Sequence, residues 1–277
     1  MRRGSMPSLT AAGCAAVLLL ICGPLRAELA LWDQWTKQLD AIDQQLREAK
    51  WESGGQMARE LAKEIGNRSG GSMGYLRAYA DQLDGARIGQ GYLAEAIALG
   101  RCAAYVAIAD AARGHNQEAR WSWYLAQNLD SRWRVADLTP YGEAGASLLP
   151  HRIKPAAEQY PEVDVIDPVK PEGANRSRFR EPERFKVVYP KRPQDLASRD
   201  RFSQAIFVQV TVESDGTVTQ PVVVDAPVYP GLIYEAFEAM SEWRYRPATL
   251  DGQPVPFRYV VPVVFADDRP EQSVVFF

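Results

Sequence analysis

A chain of 277 residues with 32 basic and 35 acidic side chains carries a net charge of −3, and loss of the first 27 residues, which hold three arginines and no acid, would take it to −6. That slightly acidic balance argues against a nucleic-acid partner. Two histidines, His115 and His151, have no Cys, His or carboxylate spaced to complete a metal site, and both are expected to be exposed.

At the start, Arg2 and Arg3 precede an apolar run, Ala11 to Gly23, and Leu25-Arg26-Ala27 ends on a small residue, which is the pattern of a secretory signal peptide over residues 1–27. The competing reading is a short membrane anchor. From Ala11 to Leu25 the run would span ~22 Å at ~1.5 Å per residue, less than the ~30 Å of a bilayer core. Cleavage would leave Cys102 as the one thiol, so no intrachain disulfide and no thiolate metal site are expected. Cys102 itself reads as a small buried residue on a helix.

Residues 28–150 have helical character throughout. Leu31, Trp35, Leu39, Ile42 and Leu46 form one apolar stripe, and Met57, Leu61 and Ile65 form a second. Gly54-Gly55 is expected to separate these two helices, and Ser69-Gly70-Gly71-Ser72 to separate the second from a third around Leu76, Tyr79 and Leu83. A further break falls at Gly85 to Gly91. From Leu93 to Asp130 a helix pair with Gly114 at its turn, followed by Ala119, Trp123 and Ala126, resembles a tetratricopeptide (TPR) repeat, which suggests an array of helix pairs that binds another protein. An irregular helical bundle is the alternative.

Between 151 and 183 the periodicity dissolves among Pro155, Pro161, Pro168, Pro171 and Pro182, which describes a flexible, solvated linker with a reach on the order of 100 Å. Its end is basic, from Arg176 through Arg201, and reads as a self-repelling solvated run or as an electrostatic contact for acidic material or a membrane surface.

In residues 184–277 the periods change. Ile206, Val208, Val210 and Val212 alternate towards Ser214-Asp215-Gly216-Thr217, and a second β-rich run, Val218 to Asp225, completes a hairpin. Pro221 cannot donate to a ladder, so its strand should be an edge or carry a bulge. Leu232, Ile233, Ala236, Phe237, Met240 and Trp243 mark a helix ended by Pro247. After a turn at Asp251-Gly252, residues Phe257, Tyr259, Val261, Val263 and Phe265 alternate along a last strand. The order is β-β-α-β, a small α+β unit in which the first strand takes the middle of the sheet and the last an edge. The chain as a whole is expected to be α+β, with an all-α N-terminal domain before the linker.

Tyr189-Pro190, Asp215-Gly216, the segment Trp243 to Ala248 and the terminal Val261 to Phe265 recur in this order in the C-terminal domain of TonB-type energy transducers, which residues 184–277 resemble. The resemblance implies a protein of the bacterial envelope, in the periplasm after cleavage of the signal peptide or anchored in the inner membrane and facing the periplasm. It implies a partner too, a short N-terminal peptide of an outer-membrane receptor added along the last strand. The residues expected to form that edge are Arg258, Tyr259, Val260, Val261, Val263, Val264 and Phe265, with Tyr189 and Pro190 as a further contact. Arg258, Val260 and Val264 point away from the core, and pairing of two copies through the same edge is a hazard of such strands. On this reading Val263→Pro abolishes strand addition at some cost to the fold.

No Gly-X-Ser-X-Gly elbow and no Gly-rich phosphate loop with lysine occurs, and the carboxylates fall on polar helix faces. Neither an enzyme nor a cofactor is expected. Two functions stand: a component of TonB-type receptor-linked transport, and a periplasmic protein-interaction scaffold without energy coupling.

Overall fold

A computed structural model describes residues 31–68, 90–153, 178–191, 205–225, 230–265 and 274–275. The third helix expected around Leu76, the apolar run of residues 11–25 and most of the expected linker lie outside them. The architecture is α+β, with helices in the N-terminal part and small sheets around one helix in the C-terminal part.

Helix α1 covers 31–47 and α2 covers Trp51–Arg68. The α1 stripe is buried as its spacing predicts, Trp35, Leu39, Ile42 and Leu46 all being at most 3% exposed. The break between the helices does not fall at Gly54-Gly55. It falls at Ala49, which takes φ of 57° while Lys50 N–H closes back on Gln45 O at 2.9 Å, the left-handed closure that usually recruits glycine. The two glycines sit inside α2 because the helices cross there. A Cβ on Gly54 would lie 2.8 Å from a Leu46 methyl, and one on Gly55 would lie 2.7 Å from Ala109 Cβ. Met57 is half-exposed, and Ala58 takes its place in the core.

Helices α3 (Gln90–Ala112) and α4 (Asn116–Leu129) form the expected pair, turning at Gly114 with φ of 80°. Cys102 and Trp123 are fully buried, and burial pushes the Cys102 thiol pKa up. A 3-10 turn (Ser131–Arg134), a short helix α5 (Gly142–Leu148) and a further turn lead to Ile153, buried at 2%.

The C-terminal part contains more strands than the β-β-α-β expectation. They are β1 (Phe179–Arg180), β2 (Glu183–Val188), β3 (Ala205–Val212), β4 (Val218–Asp225), β5 (Arg244–Arg246), β6 (Ala248–Leu250), β7 (Gln253–Val255), β8 (Phe257–Val264) and β9 (Val274–Val275), with helix α6 (Pro230–Ser241) after β4. They form three antiparallel sheets, β4-β3-β8, β1-β6-β7 and β5-β2-β9. Trp243 lies past the end of α6, where its indole N–H donates to Val188 O at 2.7 Å.

Residues 178–183, expected to belong to the linker, are structured. Arg178 pairs with Asp251, Phe179 stacks on Phe257 with ring centroids 5.1 Å apart, and Arg180 pairs across to Thr249. The basic run is likewise partly engaged, Lys186 meeting Glu242 at 3.3 Å and Arg184 lying 4.9 Å above the Trp243 ring. The stretch reads as solvated because its charges dominate any local window, and their partners are 56 to 73 residues away.

One hydrophobic cluster runs through both parts. The alternating Ile206, Val208, Val210 and Val212 of β3 are 0% exposed, and Leu232, Ala236, Phe237 and Met240 of α6 are buried with them. Trp121 of α4 meets Phe237 edge-on, at 6.1 Å between centroids. The helical region therefore packs directly on α6.

Candidate functional site

The sheet β4-β3-β8 has β3 in the middle, because only β3 has an inner face of four fully buried residues. Each outer strand shows how far its free side is available.

On β4, Gln220 takes φ of 48° and the register to β3 shifts between Gln209 and Thr211, so the strand carrying Pro221 both forms an edge and bulges. Asn128 of α4 reaches this edge: its side-chain amide donates to Pro221 O and accepts from Val223 N–H, both at 2.9 Å.

On β8 the pairing to β3 is regular over eight residues, from Ala205↔Val264 to Val212↔Phe257. Antiparallel pairs alternate between those that exchange both backbone bonds and those that exchange none. Pro262 faces Phe207 and has no N–H, so this is a non-bonded pair. Val263, Val261, Tyr259 and Phe257 therefore bond to β3, and the backbone of Val260, Pro262 and Val264 is directed to the open side. Among the described residues no strand lies there. The open edge offers the N–H groups of Val260 and Val264 and the carbonyls of Val260, Pro262 and Val264.

The side chains alternate across the sheet as the sequence predicts. Phe257, Val261, Val263 and Phe265 are buried, Tyr259 is half-buried, and Val260 and Val264 are 47% and 42% exposed. Arg258 is half-buried. Phe207, 39% exposed, lies between Val260 and Val264 on the outer face. Tyr259 packs edge-on against Tyr245 at 6.3 Å, and burial raises its hydroxyl pKa, so it stays neutral. Tyr189 and Pro190 follow β2, in a different sheet from β8; Pro190 is buried and Tyr189 packs on the core. Val263 bonds to β3, so Val263→Pro would break the sheet itself and is the wrong probe for the open side.

Elsewhere, a surface groove of about 700 Å³ runs along Val135, Leu138, Leu149 and Arg152. Asp110, 1% exposed, pairs with Arg59, with His115 Nδ1 3.7 Å away. His115 is exposed, whereas His151 is half-buried edge-on to Tyr124 at 6.3 Å, and burial lowers its pKa. No three His, Cys, Asp or Glu gather as a metal site among the described residues.

The arrangement is a small α+β domain whose regular edge strand β8 has, among the described residues, no strand on its outer side. Residues 187–266 match the family model described as Gram-negative bacterial TonB protein C-terminal. The match supports a TonB-type C-terminal domain in this part of the chain; domains of that family are envelope-associated and mediate protein interactions. No curated protein and no solved structure matches the chain. No helix among the described residues is long and apolar enough to cross a membrane.

Proposed function

We propose that the protein takes part in TonB-type receptor-linked transport across the outer membrane by adding an extended receptor peptide to the open edge of β8. The observation that carries this reading is the pairing of a TonB-type domain with a strand edge that no other strand covers among the described residues and whose Val260, Pro262 and Val264 face outwards. Two donors and three acceptors at ~0.5–1.5 kcal/mol net each, less the ordering of the peptide, give weak to moderate affinity, which suits a transient contact. The protein is exported and acts in the periplasm, with residues 1–27 removed or retained as an anchor.

A scaffold without energy coupling is the second reading. The observation in its favour is the direct packing of the helical region on the TonB-type domain, Trp121 against Phe237, which makes the two parts one body for other proteins to dock on. Intact mass in membrane and soluble envelope fractions separates the two. A mature mass found only in the soluble fraction favours the scaffold.

The edge is tested by titrating a synthetic receptor N-terminal peptide into the parent protein and into Val260→Pro and Val264→Pro variants. Each substitution removes one outward donor and sets a ring against the incoming strand, so the dissociation constant should rise roughly three- to tenfold or more. The thermal midpoint should move little, because neither residue bonds to β3. Unchanged affinity in the double variant would sink the edge mechanism.

A further inference from the structure

The sheet has two edges, and the chain treats them differently. On β4 the Asn128 amide occupies the place where a neighbouring strand would put a peptide group. Nδ2 donates to Pro221 O at 2.9 Å and to Tyr124 O at 2.8 Å, while Oδ1 accepts the Val223 N–H at 2.9 Å. A carbonyl and an N–H two residues apart on one side of a strand are the pair that an added strand engages. The polarity fixes the amide orientation, since a flipped amide would set donor against donor at Val223 and oxygen against oxygen at Pro221.

The same edge is covered on the Gln220 side of that clamp. Gln220 Nε2 donates to Arg152 O at 3.3 Å, and the Tyr124 hydroxyl bonds to the Gln220 backbone. The 151–153 segment that supplies Arg152 O is held by Gln127, fully buried, whose amide donates to His151 O at 3.1 Å and accepts from Ile153 N–H at 2.7 Å. What this arrangement covers is the run Val222-Val223-Val224, three β-branched residues at the edge of a sheet, with Val224 49% exposed. Such a run, left open, is a template for pairing with a like strand.

We infer that Asn128 closes the β4 edge, so that strand addition is confined to β8, and that the partner it excludes is the β4 strand of a second copy of this chain. Asn128 is thus a specificity-determining residue of the proposed peptide-binding function, on which the inference rests for its purpose but not for its geometry. The helical region lies outside the segment that matches the TonB family model, so this closure is supplied by a part of the chain beyond the family's own domain.

The test uses the full chain. Asn128→Leu keeps the approximate shape and removes the amide, leaving Pro221 O and Val223 N–H unbonded. Amide exchange at Val223 should accelerate at least tenfold relative to Val208 and Val210 of β3, and sedimentation should show a concentration-dependent dimer where the parent shows a monomer. Adding Val224→Lys, a charge on the uncovered strand, should return the Asn128→Leu protein to monomer without restoring Val223 protection. A residue that served stability alone would not give that rescue. If Asn128→Leu does not fold, Asn128→Ala replaces it, since it likewise removes both the donor for Pro221 and the acceptor for Val223. A folded variant that stays monomeric with Val223 protected as in the parent overturns the inference. A dimer that Val224→Lys fails to dissociate overturns it as well. Neither measurement involves the receptor peptide, so loss of the β8 mechanism and loss of this one are told apart.

Discussion

Glu235 shows how a single side chain can set the response of the protein to pH. It lies half-buried on α6; burial, and then the nearby charge of Glu238, raise its carboxyl from an ordinary 4.5 to about 7, while Lys191 and Lys63 oppose the rise. Its proton is bound more tightly in the folded chain than in the unfolded one. The group therefore contributes stability at low pH that is lost as pH rises from about 4.5 to about 7. At roughly 1.4 kcal/mol per tenfold change in proton affinity, the loss is on the order of 3 kcal/mol. Urea midpoints measured across this range should fall with pH in the parent and follow a flatter line in Glu235→Gln, which should be the more stable protein at pH 7.5. Equal slopes in the two proteins would mean that Glu235 titrates at its ordinary value.

Among the elements, the turn between α1 and α2 and the crossing of α2 with α3 make opposite demands. Ala49 holds a left-handed conformation that costs an L-residue ~1 kcal/mol or more, so Ala49→Gly should stabilise the protein by roughly 0.5–1 kcal/mol. Gly55→Ala offers ~1 kcal/mol of helix propensity, but its Cβ would come 2.7 Å from Ala109 Cβ. Neither atom sits on a flexible stem, and overpacking of this kind costs ~1–3 kcal/mol. The crossing should win and Gly55→Ala should destabilise, which thermal unfolding of the two variants beside the parent will show.

This pair also explains what could and could not be read in the chain beforehand. A glycine pair in a helical stretch carries the local signature of a break, and the atom that requires Gly55 to be small is 54 residues further on. Asn128 likewise reads as a polar residue on a solvated helix face, because its partners, Pro221 and Val223, are 93 and 95 residues away. By contrast β3, β8 and the core stripe of α6 were legible, since periods of two and nearly four are written in neighbouring residues and need no knowledge of distant ones. Pro221 was legible for the same reason, as the missing donor is a property of the residue itself. The outward direction of the Val260 and Val264 backbone required both kinds of information: proline at 262, and the register that sets it opposite Phe207.

For the whole molecule, the shared core predicts how the chain comes apart. With Trp121 on Phe237 and Asn128 on β4, the helical region and the TonB-type domain should unfold together in urea, giving coincident transitions by far-ultraviolet circular dichroism and by amide exchange in β3. Trp121→Ala should separate the two curves and cost ~3–5 kcal/mol, as truncation of a large buried aromatic does. Coincident curves in that variant would show that the interface does not couple the two parts. Pro262 has a consequence of a different kind, felt when a bound strand is pulled. Force along a strand loads its backbone bonds together, whereas force across it breaks them in turn. On the proposed mode the rung at Pro262 holds by a carbonyl alone, so a peptide peeled from β8 would let go in two short stages. The strand edge would then act as a grip with a built-in release point.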